Sequence, residues 1–120
     1  MSGEGTLVVL ITTPTRDEAV QLAKSLVEER LAACVNIVPG IQSFFHWEGQ
    51  LQEEAENLLV VKTERSRYPA LEARVKALHS YSVPEILALP VERGSPSYIQ
   101  WVRQYVLPEG GDSSDKKRSA

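Results

Sequence analysis

The feature that most constrains the fold is a long stretch, from Ala33 to Thr63, with the composition of a β-hairpin. Its arms read ACVNIVPGIQSFFHW and LQEEAENLLVVKT, and the turn between them falls at Glu48–Gly49. Both arms are rich in the β-branched and aromatic residues that strands favour. An extended arm of about fifteen residues spans on the order of 50 Å, whereas a usual strand has about five or six residues. We therefore expect the hairpin to extend beyond a small domain and to contact a partner.

Pro39–Gly40 interrupts the first arm of this hairpin. Proline has no N–H to donate to a strand ladder, and within sheets it is found mainly at edges and at bulges. We therefore predict a β-bulge or a kink at this point of the arm.

Two further strands are predicted outside the hairpin. Thr6 to Thr13 (TLVVLITT) is apolar at both alternating sets of positions, which is typical of a central strand buried on both faces. Glu85 to Val91 (EILALPV) is the last predicted strand, and its Pro90 favours a position at the edge of the sheet.

Two segments before and after the hairpin have helical spacing and helix-start signals. Thr15 and Glu18 fit a capping box at the start of the first helix, which should continue to about Leu31. Ser66 is a candidate N-cap for the second helix. This helix should end near His79, because the residues that follow favour extended backbone.

A third helix should begin at Ser95–Pro96, with the serine as N-cap and the proline at the first helical position. It should end at about Val106. The sequence beyond it, PEGGDSSDKKRSA, is almost free of apolar residues. We expect residues 1–107 to form one folded domain and residues 108–120 to be a disordered tail.

The predicted order of elements is β-α-β-β-α-β followed by a C-terminal helix. With right-handed crossovers this order gives an α+β ferredoxin-like sandwich, in which a four-stranded antiparallel sheet carries two helices on one face. However, Thr6–Thr13 and Leu58–Val61 are apolar on both faces, so a single copy would expose apolar surface. Soluble monomers rarely do so, and we expect an obligate oligomer formed through the open sheet face and the hairpin.

Composition argues against several classes of protein. The 120 residues carry a formal net charge of −3 without a basic block in the body of the chain, which disfavours nucleic-acid binding. A single cysteine cannot form an internal disulfide, which fits a reducing compartment. No apolar run approaches the roughly 20 residues needed to span a bilayer, and Met1–Gly5 lacks the features of a signal peptide. We predict a cytoplasmic protein with no membrane or nucleic-acid partner.

Motifs typical of enzymes and of organic cofactor sites are missing from the sequence. It has no glycine-rich phosphate loop, no G-x-S-x-G, no C-x-x-C and no H-E-x-x-H. One cysteine and two histidines cannot by themselves build a closed four-ligand zinc site. We therefore expect neither enzymatic activity nor an organic cofactor.

Three side chains are candidate ligands for a divalent metal ion. Cys34 is either a small buried apolar residue or a soft ligand for copper. His79 is either a cap or a solvated residue at the end of the second helix, or a metal ligand. Glu85 could hold a divalent ion or only orient the imidazole. Since one histidine and one carboxylate make an incomplete site, a neighbouring subunit would have to complete it.

The hairpin supplies further candidates. Its aromatic tip, Trp47 beside Glu48, is more typical of an interface anchor than of a catalytic element. The run Glu53–Glu56 is either the solvated start of a strand or a weak cation-attracting patch. Lys62 is either half of an exposed pair with Glu64 or part of a pocket for a small anion.

Three blocks of sequence carry a resemblance to a known family: ERLAACVNIVPGIQSFFHWEGQ (29–50), LLVVKTE (58–64) and LHSYSVPEI (78–86). In order and separation they resemble the CutA family of divalent-cation tolerance proteins, and the resemblance extends from Leu7 to about Val106. It implies an intracellular ferredoxin-like homotrimer, akin in architecture to the PII nitrogen-regulatory signalling proteins. It also implies a role in tolerance to divalent metals, of which copper is the ion most often associated with the family.

The resemblance also implies functional positions, which in the family lie near clefts between subunits. On this chain they are Cys34, Trp47, Glu48, Lys62, His79, Tyr81, Pro84 and Glu85. The chain departs from the family at Ser80, where proline is usual. Ile11 and Leu78 occupy the places at which some bacterial members have a cysteine and a second histidine.

Two functions are compatible with these observations. The first is a trimeric metal-binding or metal-response protein whose ligands for Cu²⁺ or another divalent cation are His79, Glu85 and Cys34. The second is a non-enzymatic, PII-like signalling or interaction trimer that binds a small anionic ligand or a partner's loop. Its intersubunit cleft would be formed by Lys62, Tyr81, Glu85, Trp47 and Glu48.

Overall fold

The computed structural model describes residues 5–106. The elements in chain order are β1 (Thr6–Thr13), α1 (Arg16–Glu28), β2 (Cys34–Trp47), β3 (Gln50–Glu64), a 3₁₀ turn (Arg65–Arg67), α2 (Tyr68–Leu78), β4 (Ile86–Pro90) and α3 (Pro96–Val106). The predicted disordered tail, residues 108–120, lies outside the described residues. None of the helices in the described part is long and apolar enough to cross a membrane.

The four strands form one sheet in the order β2-β3-β1-β4, and each pair of neighbours is antiparallel. The predicted α+β class and four-stranded antiparallel sheet are therefore confirmed. β1 lies inside the sheet and β4 at its edge, as the apolar pattern of β1 and Pro90 of β4 predicted.

The hairpin of β2 and β3 closes in a two-residue turn at the predicted position. Trp47 pairs with Gln50, so Glu48 and Gly49 are the only residues between the strands. Their φ angles are 51° and 76°, and two positive φ values identify a type I′ turn. This turn matches the right-handed twist of the strands, and it places a glutamate in a backbone conformation that glycine and asparagine favour.

The predicted bulge at Pro39–Gly40 is also confirmed. Val38 pairs with Leu58 whereas Ile41 pairs with Glu56, so β2 contains one residue more than β3 between these pairs. Gly40 takes a positive φ of 71°. Side chains alternate along a strand, so the extra residue changes which positions of β2 share a face. Before the bulge, even-numbered residues of β2 lie on the same face as even-numbered residues of β3. In the outer arm, which runs from Ile41 to Trp47, odd-numbered residues lie on that face.

The core lies between one face of the sheet and the helices α1 and α2. Alternate residues of β1 and β3 supply the sheet side, and the apolar stripes of the two helices supply the other side. The largest members are fully or almost fully buried: Leu7, Val9, Ile11, Leu59, Val61, Leu22, Leu26, Leu71 and Val75.

The first helix is shorter than predicted. It ends at Glu28 because the chain turns through Arg30, which has a φ of 58°. Leu31 N–H donates to Leu26 O at 2.9 Å and Arg30 N–H donates to Val27 O at 3.1 Å, which is the bond pattern of a Schellman motif. Leu31 therefore packs in the core beyond the helix rather than within it.

The start of the second helix also differs from the prediction. α2 begins at Tyr68 after a 3₁₀ turn, and the residue at its N-cap position is Arg67, with no capping bond from a side chain. Ser66 is therefore not the N-cap. Pro69 lies in the first turn, where a missing N–H costs nothing.

The sheet face opposite α1 and α2, which we call the open face, carries Val8, Leu10, Leu58, Val60, Leu87 and Leu89. α3 packs at one end of the molecule, where Val102 and Val106 are buried with Ala33. Leu87 and Leu89 are 56% and 50% exposed in the single chain. The apolar surface that the sequence pattern predicted is thus present.

Candidate functional site

A cleft of about 680 Å³ lies between the outer part of the hairpin and the connection from α2 to β4 (79–85). The hairpin side includes Phe45 and Trp47 of β2 with Glu54 and Glu56 of β3. These four residues share one face because the bulge shifts the outer arm of β2 by one position. The other side is formed by the connection, including Tyr81 and Glu85. The bulge and the helix-to-strand connection together make the cleft.

Tyr81 joins the two sides of the cleft. Its hydroxyl donates to Glu56 Oε2 at 3.0 Å, and Glu56 is only 5% exposed. Burial, the hydrogen bond to Glu56 and the negative charges of Glu56, Glu54 and Glu18 raise the pKa of Tyr81 to about 12. The phenol therefore stays protonated and remains a donor. The charges that raise its pKa indicate a negative potential in the cleft.

His79 is a buried anchor behind this tyrosine. Its Nε2 donates to Thr12 O at 2.7 Å, and its Nδ1 accepts from Tyr81 N–H at 3.0 Å. The bond from Tyr81 requires the tautomer with the proton on Nε2. The two rings are 5.1 Å apart between centroids. Both nitrogens of His79 are therefore engaged within the chain, and the ring fixes the connection to β1.

Glu18 belongs to this cluster, although the sequence pattern predicted a different role for it. Thr15 Oγ1 accepts from Glu18 N–H at 3.2 Å, so Thr15 is the N-cap as predicted. The carboxylate, however, accepts from Ser80 N–H at 3.0 Å and lies 3.3 Å from His79 Nδ1. The capping box is therefore only half formed. No local pattern could have revealed a partner 62 positions away.

The predicted metal ligands are not brought together in one subunit. Glu85 lines the cleft, whereas His79 is buried behind Tyr81. Cys34 pairs with Lys62, which is six positions and roughly 20 Å along β3 from Glu56. Among residues 5–106, no three histidine, cysteine, aspartate or glutamate side chains are placed to hold a metal ion. The carboxylates of the cleft are oxygen donors, which hard divalent cations prefer.

Of the other predicted cleft residues, some line the cleft of the single chain and some lie elsewhere. Trp47 and Tyr81 line the cleft, and Glu48 lies in the turn beyond it. Lys62 Nζ donates to Asn36 Oδ1 on the open face, far from Tyr81. No lysine or arginine is among the described residues that line the cleft. Lys62 and Tyr81 therefore do not form a pocket for a small anion within one chain, and a site shared between subunits stays a prediction.

The acidic run in β3 was predicted either as a solvated strand start or as a weak cation-attracting patch. Glu53 is exposed and accepts a hydrogen bond from Gln42, whereas Glu54 and Glu56 face the cleft. The solvated interpretation is wrong for Glu56, which is buried under Tyr81. Alternation along the strand separates Glu53 from its two neighbours in this run.

Comparison with known proteins identifies relatives over most of the chain. The family described as CutA1 divalent ion tolerance protein matches residues 7–105. The Divalent-cation tolerance protein CutA of Thermus thermophilus is 56% identical over 97 residues, which are 81% of this chain and 94% of the relative. The chloroplastic Protein CutA of Arabidopsis thaliana is 48% identical over 97 residues, again 81% of this chain but only 53% of that protein. The chain thus spans about half of the plant relative's length.

Solved structures agree with this relationship. The structure of Cut A1 from Thermus thermophilus superimposes with a TM-score of 0.82 at 54% identity, covering 83% of this chain and 97% of that one. CutA from Synechococcus elongatus gives 0.85 at 36% identity, with 89% and 95% coverage. A structure from Archaeoglobus fulgidus, described as a periplasmic divalent cation tolerance protein, gives 0.83 at 42% identity, with 85% and 99% coverage.

Proposed function

Because the chain belongs to the CutA1 divalent ion tolerance protein family, we propose that it acts in tolerance to divalent metal ions. In this proposal it is a non-enzymatic, ferredoxin-like homotrimer of the cytoplasm that binds Cu²⁺ or another divalent cation. Its close relatives are named for divalent-cation tolerance. The plant and archaeal relatives are described as chloroplastic and periplasmic. The cytoplasmic location is therefore part of our proposal and is not taken from these relatives.

The open face supports the oligomeric part of the proposal. Leu87 and Leu89 are about half exposed, and they lie beside Val8 and Leu10 in the sheet register. The tip residue Trp47 is 50% exposed at the far end of the hairpin. Apolar surface of this extent on a small protein is typical of a protein–protein interface. Association of three copies would bury it.

The acidic cleft is the observation that carries the metal-binding part. Three carboxylates, from Glu54, Glu56 and Glu85, line one cleft without a basic residue among the described lining residues. Charges of one sign in a concave site raise the local concentration of ions of the opposite sign. The cleft is therefore suited to attract a cation, and Glu54 and Glu85 are its exposed carboxylates.

His79 and Cys34 enter the proposal differently. His79 could become a ligand only after one ring nitrogen gave up its bond to Thr12 or Tyr81. Cys34 is partly exposed on the open face, and its thiol could take part only in a site formed by another subunit's residues. We therefore expect Glu85 to contribute more to cation affinity than either of these residues.

Titration calorimetry with CuCl₂ tests this proposal. The wild type should show saturable binding with one class of site per subunit. Glu85→Gln and Glu54→Gln should each weaken binding by about tenfold, because each removes a charge from the cleft. Glu53→Gln is the matched control, since it removes the neighbouring charge from the opposite face of β3. An unchanged isotherm in both cleft variants would contradict the proposal.

A PII-like signalling or interaction trimer is the second candidate, and the size of the cleft favours it. A volume of about 680 Å³ is within the range of small-molecule sites, roughly 300–1,000 Å³, and is far larger than a metal ion needs. A thermal-shift screen of metals and metabolites separates the two candidates, since a ligand of the native state raises the melting temperature. A shift with metabolites but not with metals would favour the second candidate.

A further inference from the structure

Aromatic side chains form a large part of the cleft, and metal binding does not account for them. Phe45, Trp47 and Tyr81 all line it. Divalent metal ions bind oxygen, nitrogen and sulfur ligands, and they gain little from the face of a phenyl or indole ring. Ring faces attract organic cations instead, and guanidinium and alkylammonium groups are the usual partners in proteins.

The acidic side of the cleft contains a buried carboxylate with a hydrogen bond to only one of its two oxygens. Glu56 is 5% exposed, and its Oε2 accepts from Tyr81. Its Oε1 has no hydrogen bond within the described part of the chain. In that same part, no side-chain oxygen or nitrogen is both fully buried and without a partner, so Oε1 keeps some exposure, and Glu56 lines the cleft. Glu56 as a residue is more than nine-tenths buried, and its free carboxylate oxygen can accept a hydrogen bond from a ligand in the cleft.

The positions of these groups define the chemistry of a ligand. The bulge at Pro39–Gly40 puts Phe45 and Trp47 on the same face of the hairpin as Glu54 and Glu56. A planar cation could stack on a ring and donate N–H bonds to the carboxylates at the same time. A neutral or anionic ligand of the same shape would leave the negative charge of those carboxylates uncompensated.

From this combination we infer that the cleft binds an organic cation carrying a guanidinium or alkylammonium group. The cation's charged end lies against Glu54, Glu56 and Glu85, and its carbon chain contacts the aromatic residues. The inference goes beyond the proposed metal role, because it concerns the aromatic residues and the volume that a metal ion leaves unused. The group could belong to a free small molecule or to an arginine or lysine side chain of a peptide.

Titration calorimetry of the full chain with n-butylguanidinium tests the inference, and N-butylurea serves as the neutral ligand of the same shape. We expect saturable binding of the cation and at least about tenfold weaker binding of the urea, since only the charged ligand compensates the carboxylates. Equal binding of the two ligands, or no saturable binding of the cation, would overturn the inference. N-acetyl-arginine amide, compared with its citrulline analogue, shows whether a peptide side chain is accepted as well as the free cation.

Variants separate this inference from the proposed function. Phe45→Leu should weaken butylguanidinium binding about tenfold and copper binding far less, because the phenyl group contributes a ring face and no metal ligand. His46→Leu removes a ring from the opposite face of the same strand and should alter neither isotherm. Sedimentation of Phe45→Leu checks that its assembly is unchanged. Cation binding without copper binding in the wild type would contradict the proposed function and support the inference, whereas the reverse result would overturn the inference alone.

Discussion

The hydroxyl of Tyr81 donates to Glu56 Oε2 at 3.0 Å and so connects the residues after α2 with the middle of β3. Glu56 is buried, and this is its one hydrogen bond within the described residues. Removal of the donor leaves a buried carboxylate unpaired, which is more costly than the loss of a bond between exposed groups. The stability of the connection should therefore depend on this phenol.

Tyr81→Phe should lower the free energy of unfolding by about 1–3 kcal/mol, measured by urea denaturation at neutral pH. Tyr68→Phe is the matched control, since the Tyr68 hydroxyl donates to Glu72 at 3.1 Å, within a helix and on a more exposed carboxylate. That control should lose less than about 1 kcal/mol. Equal losses in the two variants would contradict the special role of the buried Glu56.

The raised pKa of Tyr81 predicts a pH dependence of stability at high pH. Its pKa is about 12 in the folded chain, against 10.0 for an unperturbed tyrosine. The protonated phenol is favoured by folding, so its contribution is fully present below pH 10 and is lost as the pH rises through about 12. Wild-type stability should fall more steeply than that of Tyr81→Phe between these values. Urea denaturation across this range, with tyrosinate absorbance to follow ionisation, measures the difference, and parallel curves would contradict it.

The type I′ turn predicts a stabilising substitution. Glu48 has a φ of 51° and is followed by Gly49 at 76°. Asparagine tolerates this backbone conformation better than glutamate does, and Asn-Gly is the preferred sequence of a type I′ turn. Glu48→Asn should raise the free energy of unfolding by about 0.5–1 kcal/mol in urea denaturation. Glu48→Ala is the control, because it removes the charge without providing the local preference. If Glu48→Ala raised the free energy of unfolding as much as Glu48→Asn, the stabilisation would come from loss of the charge and not from the turn preference of asparagine.

The hairpin and its irregularities could be predicted because they depend on local chemistry. Pro39–Gly40 removes a donor and permits a positive φ, so the bulge follows from two adjacent residues. The turn at Glu48–Gly49 and the cap at Thr15 follow from local preferences in the same way. The bulge and the turn specify the shape of the hairpin side of the cleft before any tertiary contact is known.

The other side of the cleft could not be predicted by such local reasoning. Glu18 reaches Ser80 across 62 positions, and Tyr81 reaches Glu56 across 25. Both contacts exist because α1 and α2 pack against the sheet that contains β3, and no spacing rule encodes them. The position of His79 at the end of α2 was predicted, but its bond to Thr12 O depends on the strand order. Sequence therefore identified residues of the site without identifying their partners.

The open face leads to a prediction about assembly. Leu89 lies on the edge strand β4, is 50% exposed and pairs with Val8 of β1. Leu89 is not part of the buried core, so Leu89→Glu should keep the far-ultraviolet circular dichroism of the wild type. If the trimer buries this face, each copy would bury an uncompensated carboxylate at a cost of about 3–5 kcal/mol. We therefore expect the wild type to sediment as a trimer at micromolar concentrations and Leu89→Glu to sediment as a monomer.

Val27→Glu is the matched control for this experiment. Val27 is also a partly exposed apolar residue, but it lies on α1, on the opposite side of the sheet from Leu89. A new charge there should leave sedimentation unchanged, because the face of the sheet remains free to associate.

Trp47→Ala tests the hairpin tip in the same assay and should weaken assembly more than it weakens folding. A wild type that sediments as a folded monomer would contradict the trimer directly. Dissociation by Val27→Glu equal to that by Leu89→Glu would show that the interface is not the open face.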